Sequence, residues 1–170
     1  MVVVTGSART GTSMLMQTLS LLGVTPVHDK FYSVHSEVKS FNPKGFYESE
    51  DLIPEDLLKD GCIKLFGSHL TDALKLENNI NKLIVCERDP KQAIDSSVGI
   101  LDILYPGSNP SSVYHANYYL IHEAIGDIPS LFVKFERMKS NPKLEIKRIV
   151  DFLSIEVSEL QFNNAVKNID

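Results

Sequence analysis

The residues best suited to chemistry stand near the start of the chain, in "GSARTGTS" (6–13). Gly6 and Gly11 have the spacing of the nucleotide loop G-x-x-x-x-G-K-[ST]. Glycine permits positive φ and close backbone approach. The amides of such a loop, with the N-terminus of the helix that follows, face an anion. Thr10, Thr12 and Ser13 add hydroxyl donors, and Arg9 adds a permanently charged, bidentate fork. Thr12 stands where an ATP-binding loop carries its lysine, which argues against plain ATP chemistry with Mg²⁺. The pattern points to a phosphate-bearing ligand. The alternative is a strand-turn-helix junction that uses small residues for packing.

A second candidate lies in "CERDPKQAIDSS" (86–97), where Arg88 ends an apolar run and Ser96 follows eight residues later. Asp89 and Pro90 read as the cap and first residue of a helix. At 1.5 Å per residue, Ser96 falls roughly 10 Å along that helix from Asp89. Spacing alone therefore leaves open whether Arg88 and Ser96 meet at one group. An Arg–Asp pair at a helix start is the plainer reading.

Alternating elements must position these groups. Val2–Thr5, a β-branched run, and the apolar runs "CIKLFG", "KLIVCE" and "SLFVKFE" read as strands. Helical spacing predicts helices over Thr12–Leu22 (closed by Gly23), Leu70–Leu76, from Pro90, over Ser111–Ile125, from Pro142 through Leu153, and over Ser158–Lys167. Over 111–125 the stripe Val113, Ala116, Asn117, Leu120 and Ala124 marks the inner face, and Tyr118 and Tyr119 are expected in the helix core. Residues 24–50 read mostly as loop, and "DLIPEDLLKD" as a short helix. Strands alternating with helices imply an α/β three-layer fold, a central parallel sheet flanked by helices. Ligands in such sheets sit at the carboxyl ends of strands. That places 6–13, 65–69 and 87–90 at one edge.

Bulk properties narrow the classes. The 170 residues, 43% hydrophobic and 23% charged, suit a single domain over 1–170. A net charge of -5 argues against a nucleic-acid surface. Cys62 and Cys86 lie inside apolar strands without C-x-x-C spacing, as expected of reduced core thiols in the cytoplasm and not of a zinc site or disulfide framework. No apolar run is long enough to span a membrane, and "MVVVTG" carries no basic leader.

"TGSARTGTSMLMQTL" resembles the 5′-phosphosulfate loop of sulfotransferases that use 3′-phosphoadenosine 5′-phosphosulfate (PAPS), above all the bacterial type beginning "GxPRSGTS". Ala8 and Thr10 are mild departures from it. "CERDPKQAIDSS" resembles the same family's 3′-phosphate segment. "NPKGFYESE" (42–50) and "LFVKFERMKSNPKLEIKRIVDFL" are similar to two later stretches, in family order, so the likeness spans about residues 2–155. It implies a P-loop fold and sulfuryl transfer from PAPS, with 3′,5′-ADP as product and no metal. It assigns donor binding to Arg9, Thr10, Gly11, Thr12, Ser13, Arg88 and Ser96, with Arg9 also catalytic. The acceptor is a small molecule or glycan bearing a hydroxyl or amine.

The general base is less determined. Glu37 precedes "SFNPKG" with the spacing at which heparan-type relatives carry a catalytic glutamate. Asp29, Glu48 and His69 are rivals. Lys64 falls against the lysine of the Lys-x-His found in cytosolic relatives, but Phe66 stands where their histidine would. No counterpart of their Arg-Lys-Gly segment, which closes over the 3′-phosphate, is found. The acceptor pocket is expected from 24–60 and 105–118, including "YPGSNP" and "HANYY". Two other functions stay open: a P-loop kinase of a small metabolite, and a nucleotide-binding module without catalysis.

Overall fold

Short β-branched and apolar runs build the strands of the computed structural model, which describes residues 1–26, 40–42, 45, 47, 61–75 and 80–169. The strands are β1 (Val2–Gly6), β2 (Thr25–Pro26), β3 (Gly61–Leu65), β4 (Lys82–Glu87) and β5 (Ser130–Lys134). All described pairings are parallel, in the order β2-β3-β1-β4-β5. The helices are α1 (Thr12–Leu21), α2 (Gly67–Lys75), α3 (Pro90–Leu104), α4 (Pro110–Ala124), α5 (Phe135–Ser140), α6 (Pro142–Leu153) and α7 (Glu159–Ile169).

Both faces of the sheet are covered, as the near-continuous apolar strands require. Val3, Ile63, Leu65, Leu83 and Val85 pack with Leu70 and Ala73 of α2 and Ile121 of α4. Alternate residues on the other face, Val4, Cys62, Ile84, Cys86 and Val133, pack with Leu15, Met16 and Leu19 of α1 and with α6 and α7. A third, small cluster joins neither core: Ile100 and Leu101 of α3, with Phe41, Leu104 and Val113 against them.

The architecture is the three-layer α/β sheet expected, and several boundaries differ. The last strand stops at Lys134, where its partner β4 also ends, at the pair Glu87–Lys134. Phe135 and Glu136 therefore open α5 and do not extend the strand. Helix α2 starts at Gly67, three residues before Leu70, because its first amide is capped from another helix: Gly67 N–H donates to Asn117 Oδ1 at 3.2 Å. Thr25–Pro26 forms a two-residue edge strand, a position where proline is tolerated. On α4 the fully buried residues are Tyr114 and Ile121; of the expected stripe, Val113, Asn117, Leu120 and Ala124 are half-buried and Ala116 is exposed. Tyr118 and Tyr119 are exposed, 43% and 61%, and are not core residues. Residues 51–60 lie outside the described residues.

Candidate functional site

Strand β1 sits between β3 and β4, so the chain crosses from one side of the sheet to the other beside it. A crevice at the carboxyl end of β1 follows from that order. The loop 7–11 fills its floor. Gly11 takes φ 98, and a side chain there would meet the Phe135 ring at 2.8 Å. Arg9 also has positive φ, 65, a conformation few non-glycine residues adopt. Ser7 anchors the loop from outside: its hydroxyl donates to the Tyr114 carbonyl on α4 at 3.0 Å. Gly11, as the N-cap of α1, has no side chain to bond the helix's first amides.

The arginines converge. Arg88, at the end of β4, donates from Nη1 to the Arg9 carbonyl at 3.2 Å, and its guanidinium lies 4.4 Å from the centre of the Phe135 ring. Arg88 Nε is buried without a hydrogen-bond partner. Arg9 donates from Nε to Ser96 Oγ at 3.2 Å and stands 3.5 Å from the Phe41 carbonyl. Arg88 thus meets the backbone of Arg9, and Ser96 meets its side chain. Burial, and secondarily the Arg88 charge, push the Arg9 guanidinium down from its ordinary pKa. It stays protonated, as arginine does in proteins. Two like charges held together in a partly dry site are a place an anion would relieve.

The remaining predicted donor-binding residues divide. Gly11, Thr12 and Ser13 line a cleft of about 630 Å³ together with Arg9 and Arg88. Thr10 is buried, and its hydroxyl turns into the loop, donating to the Ser7 carbonyl at 2.8 Å. Lys64, on β3, is only 2% exposed and donates to Ser13 Oγ at 3.1 Å. Its place in a strand hid it from the site assignment, although the family likeness had marked the position. His69 lies in the first turn of α2, exposed, and also lines the cleft with Phe66. Glu37, Asp29 and Glu48 lie outside the described residues. Among the described residues no three His, Cys, Asp or Glu side chains gather as a metal would require. Nor is any described helix long and apolar enough to cross a membrane.

Comparisons with known proteins agree on the fold. A retinol dehydratase, solved in complex with androsterone and the inactive cofactor PAP, has a TM-score of 0.59 at 17% identity, covering 99% of this chain and 64% of that one. A mouse sulfotransferase complexed with PAP has a TM-score of 0.60 at 15% identity, covering 100% and 63%. The sulfotransferase domain of the Synechococcus PCC 7002 olefin synthase has a TM-score of 0.62 at 16% identity, covering 95% and 75%. The chain thus spans somewhat under two thirds of the length of the first two. The curated proteins returned no match. The sulfotransferase domain family matches residues 1–170, and the chain belongs to that family.

Proposed function

We propose that this chain, acting as one catalytic unit, transfers a sulfuryl group from PAPS to a hydroxyl or amine of an acceptor. One observation carries the reading: in a chain of net charge -5, Arg9, Arg88 and Lys64 converge on a single glycine loop at a strand end. The loop amides, Arg9 and the Lys64–Ser13 pair hold the 5′-phosphosulfate. Arg88, with its unpartnered Nε, and Ser96 hold the 3′-phosphate.

In the reaction the acceptor oxygen or nitrogen forms a bond to sulfur while the bond from sulfur to the bridging phosphate oxygen breaks. The electron pair stays on that oxygen, leaving 3′,5′-ADP. Fixed donors aimed at the developing charge lower the barrier. Arg9 and Lys64 are the chain's cations for that task. The acceptor's proton passes to a general base, for which Glu37 is our first assignment, with Asp29, Glu48 and His69 as alternatives. The chemistry assigned to these residues asks for no metal. Cys62 and Cys86, buried and unpaired, fit a reducing compartment, and we place the protein in the cytoplasm.

Calorimetry with 3′,5′-ADP, ADP and ATP with and without Mg²⁺ tests the donor. We expect 3′,5′-ADP to bind at least about tenfold tighter than ADP, since it carries its second phosphate on the 3′ oxygen, where Arg88 and Ser96 are assigned to receive it. In Arg88→Ala the loss is expected to be greater for 3′,5′-ADP than for 5′-AMP. A preference for ATP with Mg²⁺ would support the kinase reading and remove this one.

A further inference from the structure

The phosphate loop accounts for one end of the cleft. A further part of its wall is formed by Ile100, Leu101 and Leu104 of α3, Val113 of α4, and Phe41, whose carbonyl stands near Arg9. This cluster belongs to neither sheet core; it packs α3 against α4 and leaves an apolar wall on the cleft. Buried apolar surface of this kind binds by exclusion of water.

Among the polar side chains that also line the cleft, Ser108 differs from Asn42, Ser68, Tyr105 and Asn117 in having a buried atom without a partner. Ser108 lines the cleft, and its Oγ is shielded from solvent with no hydrogen-bond partner. The turn that carries it is built for placement. Its backbone N–H donates to the Tyr105 carbonyl at 3.0 Å, and Gly107 has φ 82. With Pro106 before that glycine, the segment has the marks of a type II turn. A hydroxyl shielded without a partner costs free energy that a ligand group can recover.

Resting on the sulfotransferase reading, we propose that the acceptor has an apolar body, packed on Ile100, Leu101, Leu104 and Val113, and a second polar group hydrogen-bonded to Ser108 Oγ. The acceptor is then an alcohol, phenol or amine of two polar ends and not a sugar. Ser108 is a specificity-determining residue. Its hydroxyl selects the second group, while the first group receives the sulfuryl at the loop.

The test uses the full chain with PAPS and three acceptors: 2-naphthol, naphthalene-2,6-diol and methyl glucoside. Calorimetry with 3′,5′-ADP is run first on each variant. We expect turnover of both naphthols above the glucoside, and a KM for the diol about tenfold below that of 2-naphthol, the worth of one recovered hydrogen bond. Ser108→Ala abolishes that tenfold ratio, and Ser108→Thr retains it, with 3′,5′-ADP affinity unchanged in both. Leu104→Asn raises KM for both naphthols alike. Preference for the glucoside, no naphthol turnover by protein that binds 3′,5′-ADP, or an unchanged ratio in Ser108→Ala overturns the proposal. Failure of the wild-type chain to bind 3′,5′-ADP instead overturns the donor reading beneath it.

Discussion

Arg9 reaches over the loop from a left-handed backbone, and its side chain is held by Ser96 on α3. Two properties are therefore separable at one residue. Arg9→Lys keeps a cation and the same backbone cost but loses the planar fork. We expect kcat to fall about ten- to a hundredfold, from the loss of a charge-assisted donor, with thermal stability within a degree or two of wild type. Arg9→Gly relieves the backbone and removes the charge. It is expected to be no less stable than Arg9→Lys and far less active. Steady-state kinetics beside a melting curve separates the two effects. A lysine variant with full activity would show that the fork is dispensable.

At the scale of elements, helix α4 holds all three strand ends that border the cleft. The Tyr114 carbonyl accepts from Ser7 in the loop, and the Tyr114 hydroxyl reaches toward the Arg88 carbonyl at 3.4 Å. Asn117 accepts from Gly67 after β3 and donates to Val113 within its own helix. Gly67 is close enough that a Cβ would stand 2.8 Å from the Asn117 carbonyl oxygen and 2.9 Å from Leu120 Cβ. Gly67→Ala is expected to cost about 1–3 kcal/mol by overpacking, read as a lowered urea midpoint. A midpoint equal to wild type would mean that α4 can slide.

Helix α4 also shows where sequence reading stops. Helical spacing puts it at Ser111–Ile125, and it runs Pro110–Ala124, capped by Asn109, whose side chain accepts from Ser112 N–H. Its inner face is set by what it packs on, so Tyr114 and Ile121 turned inward without a local sign. The start of α2 depends on Asn117, fifty residues away along the chain. The loop "GSARTGTS" was legible because its chemistry and its spacing are the same few residues. The meeting of Arg88, Ser96 and Arg9, and of Lys64 with Ser13, exists only once three strands are in register.

Across the whole molecule, apolar packing covers both faces of the sheet. Cys62 and Cys86 lie on the face under α1, and burial pushes both thiols up to about 12. The unfolded thiols ionise near 9 while the folded ones stay neutral, so folding stability falls as pH rises from about 9 to about 12, by up to ~1.4 kcal/mol per pH unit for each. A Cys86→Ala variant should lose less stability between pH 9 and 11 than wild type, measured by urea denaturation. An equal loss would place the alkaline sensitivity in other groups.

Lys64 stands opposite Val4 in the parallel pairing of β3 with β1, on the same face as α1. Side chains alternate along a strand, so a slip of one residue would turn Lys64 away and offer Leu65 or Ile63 to the Ser13 hydroxyl. Such a chain would keep much of its secondary structure and still present an apolar side chain where the phosphate loop has a cation. On the proposed function, specific activity is thus a more stringent gauge of correct refolding than a circular dichroism spectrum, because the cation assigned to donor binding is set by the pairing of the strands.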